Sequence, residues 1–260
     1  MQSGTLVKQS GWIQRRKSVL GKVGCLVLLA NAAWASDNKK PASGKMVDSG
    51  SFAVLVSGHR VGTETFSITQ GSDGSSITSK FQSAAGTQKA EQTSDLDLYA
   101  NGDLRKYEWK ELSPGQSHAV VEPDQSFLIE HVWKVPTDNP LDQPFLLPAS
   151  TSILDDYFFV QREVLAWRYL ATNCKQEKGQ VSCQLKQKAQ MGTLNPHVRS
   201  SQLVTVDYAG REKVTIHGTE RELIRLDMAS ESGDWTLWLD DSLQVQRMVV
   251  PAEDTEVVRD

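Results

Sequence analysis

From residue 51 onward, apolar and polar residues alternate along much of the chain. Phe66 and Ile68, for example, occupy alternate positions between threonines and a serine. A period of two places such side chains on one face of a half-buried β-strand. The same alternation recurs in residues 77–81, 204–208, 214–216, 224–228 and 235–239. Roughly ten strands at this spacing predict a mainly β fold, a large antiparallel β-barrel or half-barrel, as a single domain over residues 51–260.

Turn-forming residues separate these segments. Ala209-Gly210 is expected to be a turn between two strands, and Asn101-Gly102 a two-residue hairpin turn. The second turn pairs residues whose numbers add to 203, which gives Leu96–Tyr107, Ser94–Trp109, Leu98–Arg105 and Asp97–Lys106. One side of this hairpin is then mainly apolar and the other mainly polar, and Asp97 meets the opposite charge of Lys106.

Cys174 and Cys183 flank a second predicted hairpin. A turn at Lys178-Gly179 places the two cysteines opposite each other on a rung without backbone hydrogen bonds. There the Cα atoms approach to about 4.5 Å, which suits a disulfide. A zinc or redox pair is the alternative, but their spacing of nine residues and the absence of a nearby histidine favour a structural disulfide.

Six of the nine prolines lie in residues 113–150. Because each proline removes a hydrogen-bond donor from a β-ladder, this segment is expected to be a long ordered connection. It leads into a stretch with helical periodicity, and we predict a helix near 153–171 with Ser152 as its N-cap.

The predicted helix carries a wide apolar stripe. Its members are Ile153, Tyr157, Val160, Val164, Trp167 and Ala171, flanked by Leu154, Phe158, Leu165 and Tyr169. The polar positions are Asp156, Gln161, Arg162, Glu163 and Arg168. A stripe this wide predicts a helix packed on or in a curved sheet. The candidate ligand-binding residues are Tyr157, Phe158, Val164 and Trp167, with plain core packing as the alternative for such aromatic residues.

The N-terminus has the features of a signal peptide. Residues 1–35 combine four clustered cations, a short apolar run and Ala33-Trp34-Ala35, so cleavage is expected after Ala35. The apolar run is too short to span a bilayer, so no membrane span is expected in the mature chain. Arg15-Arg16 leaves twin-arginine export as an alternative to general secretion. Residues 36–50 are expected to be a flexible leader.

Charge excludes one class of partner. The chain has 28 basic and 32 acidic residues, and residues 1–35 contain five of the basic and none of the acidic ones. The mature chain therefore carries a net charge of −9. Nucleic-acid binding requires clustered Lys and Arg, so it is not expected.

No sequence motif indicates catalysis, a metal site or a cofactor. Residues 115–119 lack the second glycine of a nucleophile elbow, and the five histidines are scattered. Glu130-His131 could be a general-base pair, but neighbours in a strand point to opposite faces. Asp155-Asp156 could be a carboxylate pair, although an acidic first helical turn is the simpler interpretation. The sequence therefore predicts no enzyme.

Three segments resemble the same kind of protein. They are Gly58 with Val61-Gly62, then "LPASTSILDDYFFVQREVLAWRYL", and finally "LWLDDSLQVQRMVVPAEDTEVVR" with its closing proline and arginine. In this order they resemble uncharacterised exported bacterial β-rich domain families of unknown function, which are distantly similar to periplasmic lipoprotein carriers. The resemblance implies a large antiparallel β fold and no known catalytic residues.

These observations together predict a periplasmic or secreted, non-catalytic binding protein that carries an apolar or lipid-like small molecule. An envelope interaction or assembly factor is an alternative, which an exposed apolar patch would favour. An enzyme whose site is assembled in space is a third reading, which clustered titratable groups with shifted pKa values in a cleft would favour.

Overall fold

The computed structural model describes residues 44–84, 89–177 and 180–260. The predicted signal peptide, its cleavage site and the turn residues Lys178-Gly179 lie outside the described residues. Within them, no helix is long and apolar enough to cross a membrane.

The strands of the described residues are β1 (Lys45–Val56), β2 (His59–Gln70), β3 (Gly74–Ser83), β4 (Glu91–Tyr99), β5 (Leu104–Ser113), β6 (His118–Asp124), β7 (Phe127–Trp133), β8 (Leu141–Phe145), β9 (Ser152–Ile153), β10 (Lys175–Glu177), β11 (Gln180–Ser182), β12 (Lys188–Asn195), β13 (Ser200–Ile216), β14 (Thr219–Ser230), β15 (Gly233–Leu239), β16 (Val245–Val250) and β17 (Thr255–Arg259). Strands β10 and β11 form a separate two-stranded sheet. The other fifteen strands form one sheet that does not close on itself, in the spatial order β8-β7-β6-β5-β4-β3-β2-β1-β17-β16-β15-β14-β13-β12-β9. The prediction of a mainly β half-barrel with one helix is confirmed.

Most neighbouring strands in the sheet also follow each other in sequence. All pairs are antiparallel except β9 with β12, which is parallel. The described chain begins and ends in the middle of the sheet, because β1 pairs with β17 and Phe52 faces Arg259. Since β1 begins at Lys45, the prediction of a flexible leader is wrong for residues 45–50.

The hairpin of β4 and β5 confirms most of the predicted register. Leu96 faces Tyr107, Ser94 faces Trp109 and Asp97 faces Lys106, but Leu98 faces Leu104 and not Arg105. The turn has three residues, since Tyr99 N donates to Asp103 O at 2.9 Å. Gly102 takes the left-handed conformation that such a loop requires, with φ of 82°. A bulge between Asp97 and Leu98 then restores the predicted register.

The small hairpin of β10 and β11 confirms the predicted disulfide. Lys175 faces Ser182, as a two-residue turn at 178–179 requires. Cys174 and Cys183 form a disulfide, and their Cα atoms are 4.5 Å apart. The disulfide closes the end of the hairpin next to the helix.

Two predicted interruptions of the sheet are wrong. Residues 113–150 contain β6, β7 and β8 rather than a long connection. Pro144 is accommodated because β8 is the last strand of the sheet, where one row of donors is unpaired. Ala209-Gly210 is a bulge inside the continuous strand β13, and Gly210 has φ of 110° there.

The helix α1 spans Val160–Asn173, so it begins later than predicted. Ser152 is not the N-cap of α1, because Ser152 belongs to β9 and pairs there with Thr193 of the parallel strand β12. The core that α1 shares with the sheet includes Tyr107, Phe158, Leu165, Tyr169 and Leu237. The buried residues of α1 are Val160, Gln161, Arg162, Glu163, Leu165, Ala166, Tyr169 and Leu170. Three residues assigned to the polar face are therefore buried, because the sheet surrounds the first turn.

Candidate functional site

Two cavities border the helix α1, and both include residues of the curved sheet. The first, which we call the Trp167 cavity, has a volume of about 320 Å³. Its apolar lining residues are Leu96, Leu98, Tyr99, Ala100, Ile153, Val164, Leu165, Trp167 and Ala171, and its other lining residues are Gln70, Ser75, Asn101, Gly102, Thr151, Ser152, Gln161, Arg168 and Thr172. Most of its exposed lining surface is nevertheless apolar.

Gln161 supplies an unused donor to the Trp167 cavity. Its side-chain oxygen accepts a hydrogen bond from Asp155 N at 2.6 Å, which fixes the orientation of the amide. Gln161 lines this cavity, and its Nε2 is buried without a hydrogen-bond partner among the described residues. Trp167 is oriented by its own hydrogen bond, because its Nε1 donates to Leu243 O at 2.6 Å. The cavity thus combines a mainly apolar surface with a few polar residues, one of which, Gln161, has an unpaired N–H donor.

The second cavity lies at the start of α1, and we call it the Arg162 cavity. It has a volume of about 420 Å³. Its apolar lining residues are Val54, Val56, Leu154, Phe159, Val204, Met228 and Trp235. Its charged lining residues are Arg162, Asp156 and Glu253.

Arg162 is enclosed although it carries a charge. The residue is 5% exposed, and its guanidinium stacks over the ring of Trp235 at 4.0 Å. Its Nη1 donates to Asp155 O at 3.0 Å, and among the described residues it forms no ion pair with a carboxylate. Burial lowers the pKa of Arg162, while nearby carboxylates, Asp156 first among them, oppose that change.

Asp155 organises the segment that leads into the helix. Its Oδ2 accepts hydrogen bonds from Tyr107 Oη and His197 Nδ1, both at 2.6 Å. His197 also contacts Gln92 Oε1 through Nε2 at 2.8 Å and stacks on Trp109. Asp155 is therefore neither half of a carboxylate pair nor part of a first helical turn. It joins the helix entry to strands β4 and β5 and to the loop after β12.

Two glutamates on the inner face of the sheet have raised pKa values. Burial raises the pKa of Glu64 to about 7, against the hydrogen bond from Ser79 and those from the backbone. Glu64 accepts from Phe159 N at 2.7 Å and from Val160 N at 3.3 Å, so it caps α1 from a distant strand. Burial also raises the pKa of Glu130 to about 7, and both its carboxylate oxygens lack partners among the described residues.

A third buried cluster ties the helix to both ends of the sheet-forming chain. Arg259 Nη2 lies 2.7 Å from Asp48 Oδ2 and 3.0 Å from Glu163 Oε2. Burial raises the pKa of Glu163 well above its usual value, and the neighbouring Asp48 adds to this. Burial alone would raise the pKa of Asp48, but the hydrogen bonds it receives, that of Arg259 first, lower it.

The structure separates the four candidate ligand-binding residues. Val164 and Trp167 line the Trp167 cavity. Phe158 is fully enclosed in the core, and Tyr157 is 37% exposed and packs against His197. Neither of these two lines the Trp167 cavity or the Arg162 cavity.

Sequence reasoning missed Glu64, and it missed the burial of Gln161, Arg162 and Glu130. The period of two could have indicated that both glutamates face the core. Glu64 precedes Phe66 on the same face, and Glu130 lies between Leu128 and Val132 on the same face. His131 points to the other face and contacts Asp142 at 2.7 Å, as expected for neighbours in a strand. No pattern within the helix indicated that Gln161 and Arg162 are buried.

Within residues 44–84, 89–177 and 180–260, no group of three or more His, Cys, Asp or Glu residues is arranged to hold a metal ion. Comparison of the chain with protein-family models, curated proteins and solved structures finds no match.

Proposed function

We propose that this is an exported, non-catalytic binding protein that holds a small apolar, lipid-like molecule in the Trp167 cavity. The observation that carries the proposal is the combination of an apolar cavity of about 320 Å³ with an unpaired buried amide donor, Gln161 Nε2. Ligand sites are typically apolar cavities of about 300–1,000 Å³ with a few placed polar groups.

The unpaired donor indicates which chemical group the ligand should carry. A buried N–H without a partner costs about 1–3 kcal/mol, and a ligand oxygen would remove this cost. The expected ligand is therefore an apolar molecule with one hydrogen-bond acceptor, such as the carbonyl or carboxyl group of an acyl chain.

Two features support export. Residues 1–35 have the basic, apolar and small-residue order of a signal peptide. The disulfide between Cys174 and Cys183 is of the kind that persists in oxidising compartments. An apolar carrier in such a compartment would act in the periplasm or outside the cell.

Titration with a dansylated fatty acid tests the binding proposal. Ala171 lines the cavity and is exposed, so Ala171→Trp should fill the cavity without disturbing the core. We expect saturable binding by the wild-type protein and at least tenfold weaker binding by this variant. Lys175→Trp is the matched control, since Lys175 is exposed and does not line the cavity. Equal affinity in all three proteins, or no binding by any, would contradict the proposal.

A further inference from the structure

The Arg162 cavity has a charge arrangement that the Trp167 cavity lacks. We propose that it is a separate binding site for a zwitterionic α-amino acid with an apolar side chain. This site shares neither the lining residues nor the ligand of the proposed carrier function. The cavity places one buried cation and two exposed carboxylates on a wall that also contains apolar and uncharged polar residues.

Arg162 provides the site for the α-carboxylate. The guanidinium uses Nη1 on Asp155 O, and its Nε and Nη2 have no hydrogen-bond partner among the described residues. Stacking on Trp235 and Phe159 fixes the plane of the guanidinium at the cavity wall. A planar guanidinium with free donors matches a carboxylate, which it can bind through two parallel hydrogen bonds.

Asp156 and Glu253 provide the site for the α-ammonium group. Both line the same cavity, both are exposed, and neither forms an ion pair among the described residues. Their negative charges oppose a ligand that is only an anion and favour one that also carries a cation. The charges of the wall therefore match a zwitterion better than a simple carboxylate.

Asp156 and Glu253 line the same cavity as Arg162 and lie close enough to act on its charge. A small zwitterion such as an α-amino acid can therefore present its carboxylate to the guanidinium and its ammonium group to these two carboxylates. The remaining wall contains apolar residues, among them Val54, Leu154 and Met228, and also the uncharged polar residues Gln202, Ser230, Ser232 and Thr255, and about 420 Å³ leaves room for a large side chain.

Isothermal titration with three matched compounds tests the proposal: L-phenylalanine, 3-phenylpropanoate, which lacks the amine, and 2-phenylethylamine, which lacks the carboxylate. We expect L-phenylalanine to bind the wild-type protein at least tenfold more tightly than either analogue. Failure of L-phenylalanine to bind, or equal binding by either analogue, would overturn the proposal.

Substitutions assign the binding to this cavity. Arg162→Gln should abolish L-phenylalanine binding, and Glu253→Gln, which alters an exposed residue, should reduce the preference for L-phenylalanine over 3-phenylpropanoate at least threefold. Glu220→Gln, an exposed charge change on β14 outside the cavity, is the control and should leave the preference unchanged. An unchanged preference in Glu253→Gln would overturn the assignment, even if Arg162→Gln fails to fold. L-phenylalanine should not displace the dansylated fatty acid, so failure of one site is distinguishable from failure of the other.

Discussion

Glu130 offers the sharpest test of the electrostatics inside the half-barrel. Its side chain points from β7 into the core, is 0% exposed, and has no hydrogen-bond partner for either oxygen among the described residues. We predict that Glu130→Gln stabilises the protein above pH 7 and has little effect at pH 4.5. The amide is neutral at every pH, whereas the carboxyl group must ionise while it is fully buried.

The size of the expected stability difference follows from the pKa of Glu130. Burial raises the pKa of Glu130 from 4.5 to about 7 in the folded protein, and one pKa unit corresponds to about 1.4 kcal/mol. The folded state binds this proton more tightly than the unfolded state does. Stability from the neutral form is therefore fully present below pH 4.5 and is lost as the pH rises towards 7. The wild-type protein should lose about 3 kcal/mol relative to Glu130→Gln over this range.

Urea unfolding of both proteins between pH 4.5 and 8 measures this difference. The free energy of unfolding of Glu130→Gln minus that of the wild type should rise across the range and then become constant above pH 7. Glu122→Gln, on the neighbouring strand β6 and with its side chain 48% exposed, is the control and should change stability by less than about 0.5 kcal/mol. A difference for Glu130→Gln that does not vary with pH would refute the reasoning.

Three further substitutions test the contacts that hold the helix and its hairpin. Glu64→Ala leaves two backbone N–H groups at the helix start without their acceptor, so chemical unfolding should show a loss of about 2–5 kcal/mol; no loss would mean that water replaces the cap. Arg259→Met leaves two buried carboxyl groups without their cation and should cost about 3–5 kcal/mol in the same assay, whereas a loss below 1 kcal/mol would contradict the cluster. Replacing Cys174 and Cys183 by serine should cost about 2–3 kcal/mol, because the disulfide closes a ten-residue loop; a wild-type protein insensitive to reductant would argue against this.

The strands could be predicted from the sequence because their signal is local. Alternation identifies a half-buried strand from a few residues, and the pairs Leu96–Tyr107 and Ser94–Trp109 follow from one turn. The same local reasoning failed where the position of a strand in the sheet determines whether a residue is tolerated. Pro144 is acceptable only because β8 is the last strand, and nothing in residues 113–150 gives that position.

The candidate site could be predicted only in part, for a related reason. Val164 and Trp167 belong to the apolar stripe, and the structure places both at a cavity. Glu163, by contrast, contacts Arg259 from the other end of the chain. This contact gives the buried carboxyl group a cationic partner. A helical pattern shows which residues are polar, but it does not show which distant strands supply their partners.

Native mass spectrometry of the protein purified from the envelope fraction of the producing cells, without detergent, tests the central claim most directly. We expect the wild-type protein to carry one additional small molecule, released on unfolding, whose mass and retention are those of an acyl lipid or similar apolar compound. Ala171→Trp, prepared in the same way, should lack it, while Lys175→Trp should retain it. A wild-type protein that is ligand-free, or a bound mass that Ala171→Trp retains in full, would contradict the claim that the Trp167 cavity holds an apolar ligand.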